Sequence, residues 1–243
     1  MIKKAFISGA SHGIGKAIAY QLASHGCHLA LNCKNSGETL TQLCIELENQ
    51  YGIRAIPLIG DIGDYPTVCD IFTQIKQQMG DLHLLINNAG ISQIGLLSEL
   101  EIRDWQQMID TNLSSVFYCC KMAIPGMVRR QAGKILNISS VWGEAGASCE
   151  AAYSAAKGGV NALTKALAKE LAPSGIQVNA IACGCIDTRM NACFAPQERK
   201  ALEEEIPAGR YGTPQEVAAF AWQLLNANAY LTGQIIKLDG GWI

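Results

Sequence analysis

The chain has 243 residues, 49% apolar and 16% charged, enough for a core of its own and far from the composition of a disordered chain. Nineteen basic residues against 21 acidic ones give a formal charge of -2, and the adjacent arginines Arg129-Arg130 are too few to hold a phosphate backbone, so nucleic acid is not an expected partner. No apolar run approaches the roughly 18 residues of a membrane helix, and the opening MIKKAFISGASHGIG turns glycine-rich where a signal peptide needs an apolar stretch, so no membrane is expected and the cytoplasm is the expected compartment.

Short apolar runs alternate with amphipathic stretches. Ala5–Ser8, Leu29–Asn32, Ala55–Ile59, Leu82–Ile86, Lys134–Ile138, Val178–Ala182 and Ile235–Leu238 read as strands. Residues that are apolar in succession belong to strands buried on both faces. The pattern therefore predicts seven parallel strands with helices on each side, a doubly wound α/β fold. No linker or repeat interrupts it, so residues 1–243 are expected to form one domain. The main break in rhythm, 189–211, carries proline, glycine and the Glu203–Glu205 run, and is expected to be an insert that covers the site.

The first strand runs into Ser8-Gly9-Ala10-Ser11-His12-Gly13-Ile14-Gly15 and then a helical pattern from Lys16. Strand, glycine turn and helix make an anion cradle. Gly9 permits the tight turn, Gly13 lets backbone approach a pyrophosphate, Gly15 allows close helix packing, and free N–H groups over Ser11–Gly15 face the phosphates of a dinucleotide. The second strand ends in Asn32-Cys33-Lys34-Asn35. A carboxylate there would hold a ribose 2'-hydroxyl, whereas Lys34 beside Cys33 offers a cation with no apparent anion near it, which predicts NADPH over NADH. Asp61, in Gly60-Asp61-Ile62 after the third strand, is positioned to accept a bond from an adenine amino group or to cap the helix starting near Asp64.

Asn87-Asn88-Ala89-Gly90 closes the fourth strand at the carboxyl edge of the sheet, where small residues let a nicotinamide ribose lie against backbone. Ser139-Ser140 closes the fifth strand on the same edge. Tyr153 follows, with Lys157 one helical turn later on the same face. A phenol with a pKa of about 10 is a poor proton donor near neutrality, and an adjacent ammonium favours its phenolate. Ser140 would hold a substrate oxygen, Tyr153 protonate it as hydride reaches the carbon, and Asn112 bring a water and Lys157 into a proton relay: reduction of a ketone. The same residues would serve oxidation of an alcohol. A protein that senses the dinucleotide without chemistry would have no need of the tyrosine and lysine.

The ten cysteines, among them Cys193, show no CxxC spacing and read as reduced thiols, and the four histidines form no HxxxH pair, so no metal is expected. Gly9-x-x-x-Gly13-x-Gly15, Asn87–Gly90, Asn112, Ser140, Tyr153 and Lys157 span almost the whole chain, and together they resemble the short-chain dehydrogenase/reductase family. The resemblance implies a Rossmann-type sheet in the order 3-2-1-4-5-6-7 and a catalytic tetrad of Asn112, Ser140, Tyr153 and Lys157. It also implies nicotinamide ribose hydroxyls held by Lys157, carboxamide contacts from the Ile186–Thr188 segment, and a homotetramer. Cys183-Gly184 stands where the family has Pro-Gly, and His12 where NADPH-preferring relatives often carry arginine.

Two narrower resemblances bear on substrate. Length and pattern are similar to the 3-oxoacyl carrier-protein reductases, with Arg129-Arg130 where such enzymes dock an acidic carrier, but Ser174 stands where they tend to have a second docking arginine. The segments Ile124–Gln131 and Ser139–Glu150 resemble the reductases of a 5-aminopentanone group attached to elongation factor P. Between Ser140 and Tyr153 the substrate side carries Glu144 and Glu150, which suit an ammonium, whereas a phosphopantetheine-linked chain would gain nothing from them. The expected substrate is accordingly the elongation-factor aminoketone, with the acyl-carrier thioester as alternative.

Overall fold

Each buried strand presents apolar residues to both sides: Ala5 and Ile7 of the first enter one core and Phe6 the other. The computed structural model describes residues 3–192 and 194–243, and Cys193 lies outside the described residues. Along the chain come β1 (Lys4–Ile7), α1 (Gly13–Ala23), β2 (His28–Cys33), α2 (Gly37–Tyr51), β3 (Ala55–Ile59), α3 (Tyr65–Met79), β4 (Leu84–Asn87) and α4 (Ile102–Ile109). They are followed by α5 (Ser115–Arg130), β5 (Gly133–Ser140), α6 (Trp142–Ala145), α7 (Ala151–Leu171), β6 (Ile176–Cys183), α8 (Pro196–Glu205), α9 (Pro214–Leu225) and β7 (Ile235–Leu238).

The seven strands form one sheet in the order β3-β2-β1-β4-β5-β6-β7, and every pairing is parallel, as the alternating pattern implied. Ile18 and Leu22 of α1, Leu40 and Leu47 of α2, and Val217 and Leu224 of α9 cover one face. Val68 and Ile71 of α3, Val116 and Met127 of α5, and Val160 of α7 cover the other. The chain crosses from β3 back to β4, on the far side of β1, so a crevice opens between the carboxyl ends of β1 and β4 where ligands of such sheets bind. β5 extends beyond its predicted end to Ser140 because its whole length pairs in register with β6, up to Ser140 opposite Cys183.

The insert leaves the body through a narrow neck. Ile186 and Gly212 form a bridge, with the Gly212 N–H donating to Cys185 O at 2.9 Å and the Asp187 N–H to Gly212 O at 2.8 Å. Arg199 of α8 staples the insert shut, reaching Asp187 at 2.9 Å and Glu203 at 3.1 Å with its guanidinium 4.5 Å from the Tyr211 ring centre. Among the described residues the cysteines are free, no group of acidic, histidine or cysteine side chains could hold a metal, and no helix is long and apolar enough to cross a membrane.

Candidate active site

The glycine turn is set by space as much as by dihedral freedom. Gly9 takes a φ of +64°, and a Cβ on it would come 2.8 Å from the Ala89 Cα. A Cβ on Gly15 would lie 2.3 Å from the Gly9 carbonyl oxygen. Gly13 (φ +53°) faces the Thr188 methyl, which a Cβ would meet at 3.3 Å, so the segment after β6 closes over the turn. His12 caps α1 in an extended conformation without a side-chain capping bond, its Nδ1 lying 2.9 Å from Ser11 Oγ. The uncapped helix start at Gly13 and Ile14 keeps its positive end for an anion. Ser8 Oγ accepts from the N–H groups of Asn88 and Ala89 at 3.0 and 3.1 Å, and Asn88 Nδ2 donates to the carbonyls of Ser8 and Gly9, both at 3.0 Å. Asn88 thereby ties the end of β4 to the glycine turn.

At the end of β2 one expectation fails. Lys34 is not a cation without an anion: its Nζ lies 2.6 Å from Asp61 Oδ2. β2 and β3 pair in register up to Cys33 and Ile59, which brings the residues after both strands together across 27 positions of sequence. Asp61 Oδ1 also accepts from the Gly63 N–H at 2.8 Å, and Ile62 is buried beside it. The cap of α3 is Asp64, which accepts from the Thr67 N–H at 3.0 Å, so Asp61 has no capping role. A basic residue that the sequence did not single out stands at the glycine turn: burial first, then the charges of Arg189 and Lys16, hold the His12 imidazole below its usual pKa.

The chemical residues meet beneath the same edge. Ser140 Oγ, at the end of β5, accepts from the Trp142 backbone N–H at 3.2 Å and is also hydrogen-bonded with the Tyr153 hydroxyl. Tyr153 and Lys157 share the buried face of α7, with Lys157 Nζ 5.6 Å from the Tyr153 ring centre and donating to Ile138 O at 2.9 Å. Asn112 lies in a single π turn, Asp110–Ser114, between α4 and α5. Its fully buried amide donates to the carbonyls of Ile91 and Met108 and accepts from the Ile91 N–H, each at 3.0 Å. A Cβ on Gly90 would be 2.7 Å from Asn112 Oδ1 and 3.6 Å from Lys157 Nζ, so Gly90 is the point where turn, asparagine and lysine converge.

Protonation departs from expectation. Burial pushes the Tyr153 phenol well up, with smaller contributions from Cys183 and Glu150 and only a hydrogen bond with Ser140 opposing them. Lys157 does not offset this: burial drives its own pKa down to about 8, against a small opposing effect of Cys183. Desolvation therefore outweighs the ammonium–phenol attraction, and the phenol stays protonated. Cys183, in the place of the family's proline, is likewise buried beside the pair, its thiol pushed up to about 12.

The two glutamates part company. Glu150, at the start of α7, makes no capping bond and instead accepts from Ser92 Oγ at 2.7 Å, with its charge felt by Tyr153 and Cys185. Glu144 turns to Lys237 of β7, 3.3 Å away, so its charge is already countered. Glu205, at the end of α8, acts on Cys185 with the same sign as Glu150. Ile186 is buried at the neck of the insert, and Thr188 stands over Gly13.

A profile described as short chain dehydrogenase matches residues 3–199. The chain is 40% identical over its full length, and over 99% of the relative, to YmfI of Bacillus subtilis, described as an uncharacterized oxidoreductase. It is 38% identical to the 3-oxoacyl-[acyl-carrier-protein] reductase FabG of Staphylococcus aureus, over 99% of this chain and 98% of that one. A crystal structure from Agrobacterium tumefaciens, described as that of a candidate gluconate dehydrogenase, matches with a TM-score of 0.93 at 37% identity, covering 99% of this chain and 95% of the other.

Proposed function

This chain belongs to the short-chain dehydrogenase family of oxidoreductases acting on carbonyl or alcohol carbons, and from that membership we propose that it is an NADPH-dependent ketone reductase whose substrate is the 5-aminopentanone group carried on elongation factor P. The observation that carries the reading is the buried convergence of Ser140, Tyr153 and Lys157 beside a glycine turn with an uncapped helix start. The residues fit a dinucleotide: Gly9, Gly13 and Gly15 leave no room for side chains where phosphates would approach, and Lys34 would supply a cation for a 2'-phosphate in competition with Asp61.

When bound, NADPH supplies the hydride that reaches the carbonyl carbon. The Ser140 hydroxyl would hold the carbonyl oxygen by a hydrogen bond, keeping its own proton. Tyr153, kept protonated by burial, then gives its phenolic proton to that oxygen. The Lys157 ammonium stabilises the phenolate left behind and would hold ribose hydroxyls. Asn112 positions the Gly90–Ile91 turn against Lys157.

Glu150, half-buried beside Tyr153, supports a substrate with an ammonium, since a neutral acyl chain would leave the carboxylate without a counter-charge. The carrier-protein thioester remains the second reading, favoured by the named activity of the FabG relatives. Against it, Arg129 and Arg130 precede β5 at the amino edge, opposite Ser140, and both face Asp81, at 3.2 and 3.9 Å. A cytoplasmic homotetramer of one domain per chain, its insert over the site, completes the proposal. The test is NADPH oxidation with aminoketone-modified elongation factor P against a 3-oxoacyl thioester, repeated on Glu150→Gln and Tyr153→Phe. The modified factor should be the faster substrate and Glu150→Gln should erase its advantage, while Tyr153→Phe binds NADPH and loses turnover with both. A faster thioester, indifferent to Glu150, would overturn the substrate assignment, and a Tyr153→Phe within tenfold of the parent would overturn the mechanism.

A further inference from the structure

β5, β6 and β7 lie side by side and end at one edge, so the residues after them are neighbours: Trp142 after β5, Gly184 and Cys185 after β6, and Asp239–Ile243 after β7. The last of these folds into a hook. The Asp239 carboxylate accepts from the N–H groups of Gly241 and Ile243 at 3.0 and 3.1 Å, and Lys237 Nζ donates to the Ile243 carbonyl at 3.2 Å. The hook is wedged against two other walls of the site. A Cβ on Gly184 would meet the Asp239 Cα at 2.8 Å, and one on Gly240 would meet Ile206, just past α8, at 2.9 Å.

This packing brings Trp242 against Trp142, ring centres 4.9 Å apart and planes inclined by 62°. Trp142 is itself fixed at the reaction centre, its N–H on Ser140 Oγ and its ring packed with Tyr153 and Met108. In an edge-to-face pair one ring offers its edge and keeps its own faces clear of its partner. Glu150, at the start of α7, accepts from Ser92 Oγ, and Glu150 and Glu205 both act on the Cys185 thiol. Lys237 is engaged by Glu144 and by the Ile243 carbonyl, and Lys157, next to Tyr153, by the Ile138 carbonyl.

We propose that Trp142 and Trp242, with the Glu150 carboxylate, form the subsite that receives the ammonium end of the substrate, and that Trp242 determines selectivity for it. The inference rests on the aminoketone reading above and adds to it the aromatic wall that a lone carboxylate lacks. A carboxylate attracts any cation, including hydrated ones, whereas an indole face rewards a cation that has shed water into an enclosed site. A neutral chain of the same length would gain apolar contact from the same rings but nothing from their quadrupoles.

The experiment compares two small ketones of equal length, one ending in a primary ammonium and one in a hydroxyl, and reads the ratio of their kcat/KM values in the full-length protein. Trp242→Leu should lower the ratio about tenfold, within the range of one desolvated cation–π contact, and Trp242→Phe should restore most of it. Because the ratio is internal to each variant, a general loss of packing cancels. A ratio unchanged in Trp242→Leu, whether activity falls for both ketones or for neither, would overturn the inference alone. A parent protein with no preference for the ammonium ketone would overturn the aminoketone reading together with it.

Discussion

Lys157 should make the protein less stable than it would be with a neutral side chain in its place. Its side chain is 4% exposed, and burial lowers its pKa from 10.5 to about 8. That difference corresponds to about 3 kcal/mol. The sign follows from proton counting. Below pH 8 both folded and unfolded lysines are charged, and the folded state carries the full penalty. Between about 8 and 10.5 the unfolded chain binds more protons than the folded one, so stability rises with pH, and above 10.5 the penalty is gone. Lys157→Met removes the charge and keeps the stem volume, but also loses the charged bond to the Ile138 carbonyl, worth about 2 kcal/mol. The variant should therefore gain about 1 kcal/mol at pH 7, or roughly 2–4 °C in Tm for a domain of this size. By pH 9.5 about 2 kcal/mol of the parent's deficit should have disappeared. Urea unfolding of parent and variant without cofactor, at pH 7 and 9.5 and equal protein concentration, measures both quantities. A variant less stable than its parent at pH 7, or a gap indifferent to pH, would refute the buried-charge account, and the variant should in either case lack reductase activity.

The Lys34–Asp61 pair predicts opposing effects on cofactor choice. Lys34→Gln should lower the NADPH-to-NADH ratio of kcat/KM about threefold, and Asp61→Asn, by releasing Lys34 from its anion, should raise it by a similar factor, both shrinking in high salt as exposed charges are screened. Equal changes for the two cofactors would show that neither residue reads the 2'-phosphate. Gly15→Ala places a methyl 2.3 Å from the Gly9 carbonyl oxygen, and the turn has to open. Thermal unfolding should show a loss of about 1–3 kcal/mol, and NADPH fluorescence titration a loss of affinity of at least about tenfold; a stable variant with parental affinity would refute the close-packed cradle.

The inner strands were legible because burial on two faces leaves unbroken apolar runs, a signal that needs no knowledge of neighbours. Tyr153 and Lys157 were legible for a similar reason, since helical spacing alone puts them on one face of α7. What the sequence hid depends on strand order. Asp61 reaches Lys34, Lys237 reaches Glu144 and Trp242 reaches Trp142 because β3 lies beside β2, and because the ends of β5, β6 and β7 share an edge. Charge alone suggested Glu144 and Glu150 as equivalent, and only the position of β7 separates them. The π turn at Asn112 had no local signature in Asp110-Thr111-Asn112, and its cause is visible only in the bonds to Ile91 and Met108.

The protonation of the site also bears on the direction of the reaction. Desolvation moves Tyr153 and Lys157 the same way, each toward its neutral form, so without cofactor the pair is not a phenolate beside an ammonium. Reduction asks for a proton already on the tyrosine, and this site holds one at any pH below the raised pKa of the phenol. Oxidation of an alcohol asks for the phenolate, which burial, Cys183 and Glu150 all disfavour here. Below pH 8 Lys157 is itself an ammonium and would stabilise the phenolate once the proton has left. The donor is thus loaded, and the group that relieves it of charge afterwards is already charged, in the protein alone. A buried cysteine in place of a rigid proline belongs to the same balance, since the Cys183 thiol keeps the wall beside both groups apolar and so sustains the desolvation on which the loaded state depends.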